Sequence, residues 1–244
     1  MAVFVLVSGA WSGSWAWRAV VPRLRRDGHD VRTLSPTGLA ERAHVRSAEP
    51  ITFSTHVQDV VDLLYFDDLV DVIMVGWSYG GAVADGVADL VPERLREVVN
   101  LDGEILREGH PLLDGWTEEA REHYGPTLKT ARRTGWMPAP TEFVSIRDPE
   151  LAQWVLQRVR PHPFGNYIEA YPDRGSRRHE VPHTYLRCGA LDGEEPPVTE
   201  LRSDPNWRFR ELPTINHLGL LLAPDLIADA LIVLASRSGR LRSH

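Results

Sequence analysis

The residues with the clearest chemical potential surround a serine that lies between glycines. The motif GWSYG at residues 76–80 matches the pattern G-x-S-x-G and directly follows the apolar run DVIMV at residues 71–75. A serine in this pattern lies on a sharp strand-to-helix turn, which exposes its hydroxyl. Gly76 and Gly80 leave the room that such a turn requires. The pattern therefore predicts that Ser78 is a nucleophile.

A nucleophilic serine needs a base that takes its proton, and a carboxylate that orients the base. His217 is the candidate base because, of ten histidines, it alone lies between the last predicted strand and the last predicted helix. In proteins with this elbow the acid and the histidine follow the serine, at the carboxyl ends of strands. Asp192, in the loop after the strand TYLRC, is the favoured acid. Asp102, at the end of the preceding strand, is the alternative.

The negative charge that develops on the attacked carbonyl oxygen needs two backbone N–H donors. One donor should be Tyr79, the residue after the nucleophile. The other should come from the loop after the first strand, VSGAWSGSW at residues 7–15, where Gly9 and Gly13 leave the backbone open. We call this segment the oxyanion loop, after its predicted role. Ala10 is the candidate in that loop.

The wider pattern of the chain predicts the elements that position these groups. Stripes of apolar residues at helical spacing begin at Trp17, Val57, Val83 and Ile227. Strands that alternate with helices of this length predict a mainly parallel sheet of about six strands, with helices on both faces. The predicted strands are Ala2–Val7, Val31–Leu34, Val70–Val75, Val98–Leu101, Thr184–Arg187 and Trp207–Leu212.

The alternation stops between Glu104 and Glu180, where the chain is polar and rich in proline. One helix is predicted there, capped by Asp148 and with Pro149 in its first turn. We therefore predict a single domain, residues 1–244, with a core of residues 1–103 and 181–244 and an inserted lid of residues 104–180. The candidate substrate-binding residues adjoin the predicted catalytic groups in the chain or lie in this insertion: Gly9, Trp11, Trp77, Trp136 and Leu218.

Composition excludes several other classes of function. The net charge of −7 argues against a nucleic-acid surface, which needs clustered lysine and arginine. The one cysteine, Cys188, excludes an internal disulfide and is typical of a reducing compartment. No window approaches the 18 apolar residues of a membrane span, so we expect a cytoplasmic protein that does not bind a membrane.

The segment HEVPH at residues 179–183 matches the zinc-protease pattern H-E-x-x-H. That pattern binds zinc only on a helix, where the two histidines share a face. Pro182 would break such a helix. We therefore expect neither a metal nor a cofactor.

Six segments of the chain carry a resemblance to a known family: FVLVSGAWSGSWAW, SPTGLAERAH, FSTHVQDVVDLL, VIMVGWSYGGAVADGVADLVPERLREVVNLDG, TYLRCGALD and INHLGLL. The chain resembles the small α/β-hydrolases that include plant hydroxynitrile lyases, salicylate-type methylesterases and bacterial esterase-like relatives. The resemblance implies the α/β-hydrolase fold. It also implies a Ser78–His217–Asp192 triad with oxyanion donors at Ala10 and Tyr79.

The departures from the family pattern are informative. The lyases carry a threonine where this chain has Gly9, and a lysine where it has Leu218, so the resemblance favours ester chemistry over cyanohydrin cleavage. The family usually has a histidine where this chain has Ser8, which bears on the shape of the oxyanion loop. Glu104 is an extra acid, expected to face either the pocket or the solvent.

The sequence therefore predicts a cofactor-free serine hydrolase that cleaves a small, largely apolar or aromatic ester through an acyl-enzyme. Two alternatives stay open. The same elbow would serve a lactonase, a cyclase or a C–C bond hydrolase of aromatic natural products, and the same fold supports small-molecule receptors. An apolar lid would also allow a homodimer.

Overall fold

The computed structural model describes residues 1–45, 50–140, 146–172, 177–189, 201–212 and 216–238. The strands are β1 (Val3–Val7), β2 (Asp30–Leu34), β3 (Val72–Trp77), β4 (Leu95–Leu101), β5 (Trp136–Met137), β6 (His162–Pro163), β7 (His183–Cys188) and β8 (Trp207–Leu212). The main sheet has six strands in the order β2-β1-β3-β4-β7-β8, and all of its pairings are parallel. β5 and β6 form a separate antiparallel ribbon.

The central strands are apolar at consecutive positions because both faces of the sheet are covered. In β1, Phe4 and Leu6 pack into one core cluster, whereas Val5 and Val7 pack into another on the opposite face. Since successive side chains of a strand point to opposite faces, a run of apolar residues supplies both clusters at once.

The helices are α1 (Val20–Arg26), α2 (Phe53–Phe66), α3 (Tyr79–Leu90), α4 (Glu118–His123), α5 (Gly125–Thr134), α6 (Pro149–Leu156), α7 (Gly165–Ile168), α8 (Gly219–Leu222) and α9 (Pro224–Ser238). α2 and α3 pack together on one face of the sheet, and α1 packs against α9 on the other. The predicted fold class, with six parallel strands and helices on both faces, is confirmed.

The segment between β4 and β7 interrupts the βα pattern, as expected, and carries more helix than the sequence indicated. It contains α4, α5, α6 and α7 together with the β5–β6 ribbon. The predicted helix is α6, whose Asp148 carboxylate accepts hydrogen bonds from the N–H groups of Glu150 and Leu151. We call this segment, residues 104–180, the cap. Within the described residues, no helix is long and apolar enough to cross a membrane.

Candidate active site

Ser78 lies on a strained turn between β3 and α3. Its backbone has φ 56° and ψ −129°, a left-handed conformation that is costly for any residue other than glycine. A Cβ at Gly76 would overlap the carbonyl oxygen of Gly80, so glycine is required there. A Cβ at Gly9 would lie 2.8 Å from the Ser78 Cβ, which places the loop after β1 directly against the serine. The elbow predicted from the motif is present.

His217 lies between Ser78 and a carboxylate. Its Nε2 is 2.9 Å from Ser78 Oγ, and its Nδ1 is 2.7 Å from Asp102 Oδ2. These distances suit an imidazole that donates from Nδ1 to the carboxylate and accepts the hydroxyl proton at Nε2. The sequence predicted the serine and the histidine of this arrangement, but it favoured a different acid.

Asp102 directly follows β4 and is held by β7, the neighbouring strand. Its N–H donates to Leu186 O at 2.7 Å, and its Oδ1 accepts from the N–H of Cys188 at 3.2 Å. Its backbone has φ 47°, a second strained residue at the site. The acid that contacts His217 is thus the less favoured alternative of the sequence analysis. Asp192 lies outside the described residues.

Of the two predicted oxyanion donors, one is next to the serine in the chain and the other lies in the loop that approaches the serine. Tyr79 is the first residue of α3, where a backbone N–H has no acceptor within the helix. Ala10 lies in the loop after β1, and no described residue accepts a hydrogen bond from its N–H. That loop is closed by its own hydroxyls, since Ser8 Oγ donates to Gly13 O at 2.7 Å and Ser12 Oγ donates to Gly9 O at 2.8 Å. Ser8, which replaces the family's usual histidine, therefore bonds within the loop.

The fold agrees with a comparison against family models. The model described as the alpha/beta hydrolase family matches residues 4–230 of this chain. The chain belongs to the α/β-hydrolase family. The resemblance noted in the sequence is thereby confirmed.

Two curated relatives indicate the branch of the family that this hydrolase resembles. The chain is 45% identical over 175 residues to a carbendazim hydrolyzing esterase of Nocardioides sp. (strain SG-4G), covering 68% of this chain and 72% of the relative. It is 26% identical over 125 residues to the putative methylesterase 15, chloroplastic, of Arabidopsis thaliana, covering 50% of this chain and 27% of that protein. The plant relative is thus matched over much less than two thirds of its length.

A solved structure with the same fold covers almost the whole hydrolase. It is an extracellular α/β-hydrolase from a Paenibacillus species, with a TM-score of 0.80 and 22% sequence identity. The alignment covers 96% of this chain and 98% of the other. This similarity extends over the cap as well as the sheet.

The candidate substrate-binding residues take different positions in this hydrolase. Gly9 and Trp11 lie in the oxyanion loop, and Leu218 packs between the two core clusters beside His217. Trp77 is buried; its Nε1–H donates to His217 O at 3.1 Å and its ring stacks on the imidazole, so it supports the histidine. Trp136 lies on the cap ribbon, where it is paired with Pro163.

A buried polar cluster beneath the oxyanion loop was not predicted. It contains His56, His162 and Asn166, all fully buried, together with the hydroxyl of Tyr79. Burial lowers the pKa of His56 from 6.5 to about 4, although the hydrogen bond to the Thr37 carbonyl opposes this shift. Burial, with a smaller effect of His56, lowers the pKa of His162. No sequence motif marked either histidine, because their neighbours come from distant segments.

Glu104, the first residue of the cap, contacts another cap residue. Its N–H donates to Ser78 O at 3.0 Å, and its Oε1 accepts from the hydroxyl of Tyr167 at 3.1 Å. Burial raises the pKa of Tyr167, and the negative charge of Glu104 raises it further. Trp116 and Tyr124, both half-buried, continue this aromatic surface toward the oxyanion loop.

The segment HEVPH does not have the geometry of a zinc site. His179 lies in a short 3₁₀ turn, and His183 lies in β7 with its Nδ1 2.8 Å from Val181 O. The two histidines therefore do not share a helix face. The part of the chain that the structure describes holds no group of three or more candidate metal ligands.

Proposed function

We propose that this esterase-type α/β-hydrolase cleaves a small, largely apolar or aromatic ester through an acyl-enzyme on Ser78. The observation that carries the proposal is the position of His217, whose two ring nitrogens lie 2.9 Å from Ser78 Oγ and 2.7 Å from Asp102 Oδ2. Backbone strain gathers at functional sites, and an adjacent imidazole is the group that activates a serine, so the two features together support a nucleophilic role for Ser78.

In the proposed first step, Ser78 Oγ attacks the ester carbonyl while His217 Nε2 takes the hydroxyl proton. The carboxylate of Asp102 holds the imidazole in the tautomer with hydrogen on Nδ1 and stabilises the imidazolium that forms. The N–H groups of Ala10 and Tyr79 donate to the oxyanion. Each such donor contributes about 10²- to 10³-fold in rate.

The imidazolium then donates its proton to the leaving alcohol, and the carbonyl re-forms as an acyl-enzyme. In the second step His217 takes a proton from the water that attacks the acyl carbon, and then donates that proton to Ser78 Oγ as the bond between Oγ and the acyl carbon breaks and the acid is released. The exposed imidazole edge supports this step, because the His217 side chain is 46% accessible to water.

The cap and the relatives support the proposed substrate class. We propose that the cap covers the serine as a lid. Its side chains near the oxyanion loop are aromatic, including Trp116 and Tyr124, and such walls favour flat, apolar ligands. The relatives named as a carbendazim hydrolyzing esterase and as a putative methylesterase support an ester with a small alcohol portion.

A fluorophosphonate probe tests the proposal directly. Wild-type protein should gain one adduct by intact mass. The adduct should be absent in Ser78→Ala and formed far more slowly in His217→Ala. Ser236→Ala, which removes an exposed hydroxyl on α9, should be labelled like wild type.

A panel of aryl methyl esters, carbamates and lactones then measures turnover. Alcohol release that disappears in Ser78→Ala supports an esterase. A folded wild-type protein that is not labelled and releases no alcohol, yet binds these compounds saturably, contradicts the proposal in favour of a receptor. Labelling with turnover of lactones alone would favour the lactonase alternative.

A further inference from the structure

Trp11 is a strained residue in the oxyanion loop. Its backbone has φ 60°, a left-handed conformation that is strained for a bulky residue and persists only where the surroundings enforce it. Trp11 directly follows Ala10, so the orientation of its peptide group is coupled to that of the proposed oxyanion donor. The contacts that hold Trp11 therefore bear on catalysis.

Those contacts come from the cap. The N–H of Trp11 donates to His162 Nδ1 at 3.4 Å, and its indole Nε1–H donates to Met137 O at 3.1 Å. The carbonyl oxygen of Trp11 accepts from the N–H of Arg160 at 3.0 Å. His162 and Met137 are directly paired across the β5–β6 ribbon. This ribbon therefore binds both the backbone N–H and the indole of Trp11.

The same cluster reaches the second proposed donor. His162 Nε2 lies 3.0 Å from the side-chain amide of Asn166, which lies 3.1 Å from His56 Nδ1. His56 Nδ1 is in turn 2.9 Å from the hydroxyl of Tyr79, and its Nε2 donates to Thr37 O at 2.7 Å. One buried chain of contacts thus joins the residue after Ala10 to Tyr79.

We propose that His162 is a positioning residue, which fixes the oxyanion loop through its Nδ1 and thereby makes the oxyanion site depend on the docked cap ribbon. The proposal rests on the serine-esterase function proposed above. Since a backbone N–H can only donate, His162 must accept at Nδ1, and its full burial keeps the ring neutral. In this hydrolase the cap thus supplies a support for the loop in addition to the hydroxyl of Ser8.

Two substitutions of similar size separate this role from simple packing. His162→Asn places an amide oxygen near the position of Nδ1 and keeps an acceptor for Trp11. His162→Gln extends its amide toward the position of Nε2 and loses that acceptor. Tyr171→Phe is the matched control, because it removes an equally buried hydrogen bond between the cap and α3, from the Tyr171 hydroxyl to Gly86 O.

We expect His162→Gln to lower kcat by about 10- to 100-fold with KM within about twofold. Oxyanion donors that are out of position stabilise the transition state less, because negative charge develops on the carbonyl oxygen there, whereas binding of the uncharged substrate changes little. His162→Asn should retain kcat within about threefold of wild type. Affinity for an aryl trifluoromethyl ketone, which forms an oxyanion on addition of the serine, should fall with kcat in the Gln variant. Tyr171→Phe should leave kcat and this affinity unchanged. Melting curves establish that each variant is folded.

Equal kcat in the Asn and Gln variants, or a loss in both that follows the melting temperature, would overturn the proposal. If neither variant folds, Trp11→Phe removes the contact with Met137 O and should show the same fall in kcat and ketone affinity; unchanged values would also overturn it. A wild-type protein that is neither labelled by fluorophosphonate nor active on esters would instead contradict the proposed function.

Discussion

Three residues with left-handed backbone conformations meet at the candidate site: Trp11, Ser78 and Asp102. Each carries a side chain and so pays a steric cost that glycine would avoid. Each is also fixed by hydrogen bonds from another segment, for example Ser78 N–H to Leu101 O at 3.1 Å. Backbone strain at these positions marks the places where the fold holds a group in a geometry that the chain alone would not adopt.

The acid can be tested at the level of single residues. Asp102→Asn should lower kcat/KM by about 10³- to 10⁴-fold, because an amide neither fixes the His217 tautomer nor stabilises the imidazolium. Asp192→Asn should leave kcat/KM close to wild type. The measurement is steady-state hydrolysis of the best aryl ester. A large loss of activity in Asp192→Asn with near wild-type activity in Asp102→Asn would mean that Asp192, which the sequence favoured, is the acid.

Trp77 offers a second test at this scale. Trp77→Phe keeps an aromatic ring under the imidazole but removes the hydrogen bond to His217 O. Since such a bond is worth about 1 kcal/mol, kcat/KM should fall by about fivefold. Trp17→Phe is the control, because Trp17 is fully buried and its Nε1 has no partner among the described residues. Equal activity in the two variants would mean that the indole N–H does not position the histidine.

At the scale of elements, the site depends on how closely strands and helices approach. α3 begins directly after β3, and a Cβ at Gly76 would lie only 2.5 Å from Gly81 N in its first turn. A Cβ at Gly81 would lie 2.8 Å from the Cα of Gly103, in the turn that follows Asp102. The glycines therefore let three segments converge on the serine, which larger residues would push apart.

The elbow can be tested by a single methyl group. Gly76→Ala should abolish fluorophosphonate labelling and lower the melting temperature by several degrees, because the added Cβ displaces the start of α3. Gly115→Ala is the control, since its Cβ would contact no atom within 4 Å. Labelling by intact mass and thermal unfolding are measured on the same samples. A Gly76→Ala protein labelled at the wild-type rate would show that the elbow tolerates a side chain.

At the scale of the whole molecule, the buried histidines link stability to pH. The pKa of His56 falls from 6.5 to about 4 on folding, mainly because burial disfavours the charged ring. The unfolded chain therefore binds a proton that the folded chain does not between these values. Stability should decrease as the pH falls from 6.5 toward 4, by roughly 3 kcal/mol for this group.

Urea unfolding at pH 7, 6, 5 and 4 measures this dependence. His56→Gln keeps a donor for Thr37 O but does not titrate, so the difference in unfolding free energy between wild type and variant should shrink as the pH falls. A constant difference over this range would contradict the assigned shift. Buried His162 acts in the same direction in both proteins; because His56 supplies a smaller part of its pKa shift, the His162 effect is reduced in the variant, which adds to the expected change in the difference.

Much of this hydrolase was predictable from its sequence because the signals are local. The six strands and the amphipathic helices follow from periodicity, the elbow follows from glycines beside a serine, and Asp148 marks the start of α6. The cap was less predictable. The four short helices and the two-residue strands in the described part of the cap carry little periodicity, and they are stabilised by contacts with the core.

The sequence by itself thus determined the sheet, and it singled out the serine and the histidine that the structure brings together, because each signal depends on neighbours a few residues away. Only the tertiary structure decided which carboxylate meets His217. β4 and β7 are adjacent in the sheet, so the residues that follow them emerge at the same edge, and chain order does not distinguish Asp102 from Asp192. The hydrogen bond from the Trp11 N–H to His162 Nδ1 joins residues 151 positions apart, and such a contact forms only when the cap packs against the core.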